Sequence, residues 1–131
     1  MESRSKYASE LKRSGRCNCA QAVACTYCDL AGIAPEQMAL MTAAYGTGLG
    51  NTEGTCGAII GAGAVIGALK GSNRIEAMTA MRRLMNEFAA RNSGATRCRD
   101  LKGIGTGNVI RECHDCVADA AEILESIIAE H

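Results

Sequence analysis

The chain has 131 residues, of which 47% are hydrophobic and 21% are charged, and its 14 basic residues balance its 14 acidic ones. This length suffices for one domain with a hydrophobic core, and the apolar fraction excludes a disordered chain. A net charge of zero, with one Phe, three Tyr and no Trp, provides neither the basic surface nor the stacking side chains of a nucleic-acid-binding protein. The unusual features are 15 Gly and 8 Cys.

Eight cysteines are typical of a disulfide framework, a metal site or a set of reactive thiols. The first residues, Met1–Lys6, are polar and lack the apolar segment of a secretory signal, so we expect a cytoplasmic protein with reduced thiols. The longest apolar stretch, Gly57–Leu69, is shorter than the roughly 20 residues that span a bilayer, and we expect no membrane insertion. Metal or redox chemistry is therefore favoured over structural disulfides.

Helical patterns follow one another along the chain, and no segment alternates with the period of a strand. Asn18 and Gln21 have the spacing of a capping box at the start of the second helix. A glycine-rich loop, Gly46–Thr55, leads into the apolar segment that begins at Cys56. The predicted helices are Tyr7–Arg13, Asn18–Gly32, Pro35–Ala44, Cys56–Leu69, Ser72–Asn92 and Asn108–Ala129, and a turn is predicted at Cys98–Leu101.

The apolar segment carries glycines at positions 57, 61, 63 and 67 and is hydrophobic on every side, as a buried central helix would be. Because glycine has no side chain, a neighbouring helix can approach this segment closely. These patterns predict an all-α fold. We expect residues 1–131 to form a single domain, a compact bundle of five or six helices around a central Gly/Ala-rich helix.

Helical phase separates the cysteines into two groups. Cys19, Cys56 and Cys113 each share a helix face with apolar residues, so we expect all three to point into the core. Cys98 lies in a turn and can join them, and Cys116 lies at the edge of the face that contains Cys113. The candidate site therefore consists of Cys19, Cys56, Cys98 and Cys113.

The other cysteines are expected to be accessory. Cys25 and Cys28 lie on the opposite side of the second helix from Cys19, beside polar neighbours. Their spacing also suits a disulfide or half of a zinc site. Cys17 precedes the helix cap and could be a spare ligand or only a neighbour of the site.

Cys56 is the strongest candidate for a reactive thiolate. The free N–H groups and the dipole at a helix N-terminus stabilise an anion, and such a position can lower a thiol pKa below its usual value of ~8.5. The glycines that precede Cys56 allow backbone N–H groups to approach its sulfur. In a dithiol reaction, Cys56 would attack and Cys19 or Cys98 would resolve.

The order of these motifs resembles that of a known family. Residues 56–61, Cys-Gly-Ala-Ile-Ile-Gly, form a C-G-A-x-x-G motif, which Asn18–Val23 precede and Cys98–Leu101 and Cys113–Val117 follow. From about Asn18 to Leu124 the chain resembles the C_GCAxxG_C_C family of redox-active proteins. The resemblance implies that the four recurrent cysteines correspond to Cys19, Cys56, Cys98 and Cys113, with Cys116 able to replace the last. Related domains occur beside electron-transfer modules, which implies an iron–sulfur centre.

Three functions stay open for this cysteine set. The first is an iron–sulfur cluster bound by Cys19, Cys56, Cys98 and Cys113, which transfers electrons to an unidentified redox partner protein. The second is a dithiol–disulfide oxidoreductase with Cys56 as the reactive thiolate and Cys19 as its partner. The third is a structural zinc site with four cysteine ligands. We also expect that a homodimer could bury half-exposed thiols.

Overall fold

The computed structural model describes residues 1–131, and the chain is helical apart from an isolated bridge between Thr55 and Arg97. The helices are α1 (Ser5–Arg13), α2 (Cys19–Thr26), α3 (Cys28–Ala31), α4 (Pro35–Thr42), α5 (Gly46–Leu49), α6 (Gly57–Lys70), α7 (Arg74–Arg91), α8 (Cys98–Lys102) and α9 (Cys113–Ala129). Six of them have eight or more residues, and α3, α5 and α8 are short. The all-α prediction is confirmed. None of the helices combines the length and the apolar character needed to cross a membrane.

Helix α6 is the centre of the bundle and contacts α2, α3, α5, α7 and α9. The approach of α2 is very close because α6 has no side chain at Gly61. A Cβ atom at this position would lie 2.3 Å from the carbonyl oxygen of Ala20. Buried side chains on both sides of this contact belong to one continuous hydrophobic core: Ala22, Val23, Ile59, Ala62, Val65 and Ile66.

The predicted second helix is interrupted at Tyr27, where the backbone leaves the helical region with φ −114° and ψ 15°. The Tyr27 ring is fully buried, and its hydroxyl donates a hydrogen bond to Glu125 on α9. The chain resumes as α3 at Cys28, which is buried. The expectation that Cys28 faces polar neighbours was wrong, because it assumed one continuous helix through this break.

The last helix begins at Cys113 and not at Asn108. The N–H groups of Ile110 and Arg111 both donate to the carbonyl oxygen of Leu101, at 2.9 and 3.2 Å. These bonds hold the segment before α9 against the end of α8 and prevent it from joining the helix. Cys113 is therefore the first residue of α9, whereas the sequence predicted a helix that begins about five residues earlier.

The glycine-rich segment, predicted as a loop, contains α5 and a left-handed turn. Gly48 has φ +57°, and a Cβ atom there would lie 2.4 Å from the Cβ atom of Cys98. The N–H of Cys98 donates to the carbonyl oxygen of Gly54 at 3.0 Å, and that of Cys56 donates to Thr96 at 2.8 Å. This folded turn thus fixes the starts of α6 and α8 beside each other.

The close contact between α2 and α6 predicts that Gly61→Ala destabilises the protein by about 1–3 kcal/mol, because the added methyl group displaces the backbone of Ala20. Gly67→Ala is the matched control on the same helix, since nothing lies within 4 Å of its Cβ position. There, alanine should raise the free energy of unfolding by up to ~1 kcal/mol through helix propensity. Urea denaturation measures both, and equal effects would contradict the packing argument.

Candidate functional site

Five cysteines line one small cavity: Cys19, Cys56, Cys98, Cys113 and Cys116. Its volume is about 20 Å³, which is room for about one water molecule. Cys113 is half-buried and the other four are buried. The structure thus brings the four cysteines of the predicted site together and adds Cys116 as a fifth member.

Four of these thiols stand where a helix begins. Cys19, Cys98 and Cys113 are the first residues of α2, α8 and α9, and Cys56 is the N-cap of α6. The N-terminal N–H groups of a helix carry partial positive charge. Because several such ends meet at one cavity, they favour negative charge on the sulfur atoms inside it.

The capping box at Asn18 sets the position of Cys19. The Asn18 side chain accepts a hydrogen bond from the N–H of Gln21 at 2.8 Å, and the Gln21 side chain accepts one from the N–H of Asn18 at 3.1 Å. The Asn18 amide also donates to the carbonyl oxygen of Ala43 at 3.0 Å. The start of α2 is thereby tied to the end of α4, and Cys19 is held next to α6.

Three cationic side chains, Lys12, Lys102 and Arg111, also line the cavity, and no carboxylate does. Arg111 is held in place by Asp119, whose two carboxylate oxygens each accept a hydrogen bond from its guanidinium at 3.0 Å. Asp119 is buried and belongs to the same helix as Cys116. Lys12 and Lys102, which lower the pKa of Cys113, therefore add to the effect of the helix N-termini, whereas the charge of Arg111 is balanced by Asp119.

Cys19 and Cys113 form what we call the outer pair, because it contains the half-buried thiol. A hydrogen bond from the Cys19 thiol lowers the pKa of Cys113 to about 6 against the cost of burial, and Lys102 and Lys12 lower it further. The same hydrogen bond raises the pKa of Cys19, and burial adds to the rise. The outer pair therefore favours a thiolate at Cys113 and a protonated thiol at Cys19 near neutral pH.

Cys56 and Cys116 form a second, inner pair with the same polarity. The hydrogen bond from Cys116 lowers the pKa of Cys56, and the N–H groups of Ala58 and Ile59 lower it further against the opposing effect of burial. Cys116 has a raised pKa because it shares that hydrogen bond and is buried. A lowered pKa at Cys56 is the direction expected for a thiol at a helix N-terminus.

The remaining cysteines differ from these two pairs. Cys98 lines the cavity without a thiol partner, and burial raises its pKa. Cys17, Cys25 and Cys28 lie outside the cavity and pack against the hydrophobic core. Burial is the main cause of the raised pKa of Cys25, to which Cys28 and Cys17 contribute. These three thiols form a separate group of reduced cysteines.

A metal centre does not fit the side chains as they lie. No group of three or more His, Cys, Asp or Glu side chains is arranged to hold a metal ion. The cavity of about 20 Å³ is far too small for a cluster of iron and sulfide ions. The thiols interact with one another in pairs, and an iron–sulfur cluster would require both pairs to separate.

The family model described as "Putative redox-active protein (C_GCAxxG_C_C)" matches residues 17–127. The chain belongs to this family. The resemblance recognised from the sequence is therefore confirmed, and the matched range of this C_GCAxxG_C_C protein contains all eight of its cysteines. No curated protein and no solved structure matches the chain.

Sequence reasoning missed two parts of the site. Cys116 was named only as a substitute, although it lies three residues after Cys113 and so on the neighbouring turn of α9. The cations Lys12, Lys102 and Arg111 were not selected at all. They come from three separate segments, and no local pattern indicates that tertiary packing brings them to one cavity.

The lowered pKa of Cys113 predicts its alkylation behaviour. Only the thiolate reacts with iodoacetamide, so the rate at Cys113 should rise with pH through a midpoint near 6 and reach a plateau above it. Cys17 is the internal control, since it is also half-buried but has a raised pKa and should react only in alkaline solution. Site-resolved mass spectrometry measures both alkylation rates. If Cys113 and Cys17 both reacted only in alkaline solution, the lowered pKa of Cys113 would be wrong.

Proposed function

We propose that this C_GCAxxG_C_C protein is a thiol–disulfide redox protein in which Cys113 attacks and Cys19 resolves. The observation that supports this assignment is the outer pair itself. Of the five thiols at the cavity, Cys113 alone is half-buried, and it combines this access with a pKa of about 6 and a protonated neighbour. A thiolate that is both formed and accessible at neutral pH is the requirement for thiol–disulfide exchange.

The proposed reaction begins when the Cys113 thiolate attacks one sulfur of a partner disulfide. The partner S–S bond breaks, a partner thiolate leaves, and a mixed disulfide forms at Cys113. Cys19 then attacks the sulfur of Cys113, and the second partner sulfur leaves with the proton of Cys19. The net result is a Cys19–Cys113 disulfide and a partner dithiol.

The hydrogen bond between Cys19 and Cys113 determines which of the two thiols attacks first. While Cys113 is a thiolate, it accepts the proton of Cys19 and stabilises Cys19 as a neutral thiol. When the mixed disulfide forms, this negative charge disappears, and the raised pKa of Cys19 loses its main cause. Cys19 then becomes easier to deprotonate at the stage at which it must attack.

The proposal changes the role that the sequence suggested for Cys56. Its lowered pKa suits a nucleophile, but Cys56 is only 5% exposed. A partner disulfide reaches Cys113 more directly. For the same reason, the redox partner would dock on the cavity side of α9, and a second copy of the chain is one candidate for that position.

The iron–sulfur cluster implied by the resemblance stays a prediction, as does the zinc site. What supports a cluster is the number of thiols at the cavity together with the helix N-termini and cations, which would favour an anionic centre. The close thiol pairing and the small cavity favour the dithiol reaction instead.

The dithiol assignment predicts distinct results for two variants of the reduced protein mixed with oxidised glutathione. Cys113→Ser should lower glutathione release to the uncatalysed rate, because the accessible thiolate is absent. Cys19→Ser should accumulate a glutathione mixed disulfide at Cys113, because the resolving thiol is absent. Intact-protein mass spectrometry identifies this adduct, and Cys25→Ser is the matched control that should behave like the wild type. Full release by Cys113→Ser would overturn the assignment.

A further inference from the structure

The inner pair, Cys56 and Cys116, has no role in the reaction proposed above. Both thiols are buried, with 5% and 2% of their surface exposed, so a partner protein cannot reach them. Yet they have the same arrangement as the outer pair, with a hydrogen bond between a thiol that ionises more easily and one that keeps its proton. A buried dithiol without external access can exchange only with another thiol or disulfide inside the protein.

The outer pair supplies such a reactant, since the two pairs meet at one cavity. Cys113 and Cys116 lie on neighbouring turns of α9. Across the cavity, α6 presses against the start of α2, and a Cβ atom at Gly57 would lie 3.2 Å from the Cβ atom of Cys19. Charge on Cys56 acts directly on Cys19. The four sulfur-bearing side chains line the same cavity, whose volume is about 20 Å³.

We propose that the inner pair is a second redox dithiol, which is oxidised by the disulfide of the outer pair through exchange inside the cavity. This inference rests on the proposed function, because it needs the Cys19–Cys113 disulfide as its oxidant. The chain would then have two dithiols that act one after the other. The outer pair reacts with the partner, and the inner pair ends as the disulfide.

The internal exchange needs no oxidant or reductant from outside the protein. The Cys56 thiolate attacks the sulfur of Cys19, the Cys19–Cys113 bond breaks, and Cys113 leaves as a thiolate. Cys113 is the better leaving group of the two because a thiolate of lower pKa leaves faster. Cys116 then attacks the sulfur of Cys56, and Cys19 leaves and takes the proton of Cys116. The outer pair is reduced again and the inner pair is a disulfide.

Arg111 supports the second of these steps. Its guanidinium is fixed by two hydrogen bonds to Asp119 and lies at the cavity with Cys116. When Cys116 gives up its proton, negative charge develops on a buried sulfur, and the charge of Arg111 attracts it. Asp119 fixes the guanidinium in place, but the charge of its own carboxylate raises the pKa of Cys116 and limits this effect.

The test follows the fully reduced 131-residue chain as it reacts with excess oxidised glutathione, with disulfides mapped by mass spectrometry over time. The wild type should form the Cys19–Cys113 disulfide first, then the Cys56–Cys116 disulfide, and release glutathione in two successive stages of equal size. Cys116→Ser should lose the second stage and keep the first. Cys25→Ser, outside the cavity, should keep both.

Cys113→Ser isolates the internal route, since it removes the outer disulfide and leaves the inner pair intact. In this variant, Cys56 and Cys116 should stay reduced throughout the period in which the wild type completes its second stage. Oxidation of the inner pair at the wild-type rate in Cys113→Ser would overturn the relay, as would a disulfide that joins Cys98 to Cys56.

The wild-type time course keeps the two proposals distinct even if a variant does not fold. A single stage that ends at the Cys19–Cys113 disulfide would overturn the relay and leave the proposed function standing. Absence of both disulfides would overturn the proposed function.

Discussion

The close contact between α2 and α6 is the constraint on which the site depends. It exists because Gly61 has no side chain, and a methyl group there would strike the backbone of Ala20 at 2.3 Å. With these helices in contact, the start of α2 lies beside the start of α6, and Cys19 meets Cys56 across a small cavity. The starts of α8 and α9 then close the cavity with Cys98 and Cys113.

This arrangement determines the chemistry through charge as much as through distance. Helix N-termini, two lysines and an arginine favour negative charge on the sulfurs, whereas burial opposes it. The two effects are reconciled when the two thiols of a pair share a proton, which lowers the pKa of Cys113 and of Cys56. The same hydrogen bonds, together with burial, raise the pKa of Cys19 and of Cys116.

The sequence predicted much of the fold because its strongest signals are local. The capping box at Asn18 and the glycines of α6 act within a few residues, and the inward phase of Cys19 and Cys56 follows from helix geometry. The errors arose where a distant contact decides the local structure. Tyr27 interrupts α2 where its hydroxyl binds Glu125, and α9 starts late because Leu101 binds the segment before it. That late start makes Cys113 a helix-terminal thiol and brings Cys116 into the site.

We propose that these cysteines work as thiol pairs and not as metal ligands. Anaerobic purification of the 131-residue chain tests this, followed by visible spectroscopy, iron, zinc and acid-labile sulfide analysis, and titration of thiols under denaturing conditions. We expect a colourless protein without stoichiometric metal or sulfide and with all 8 cysteines titrating as free thiols after reduction. A brown protein with stoichiometric iron and sulfide, lost together in Cys56→Ser, would contradict it.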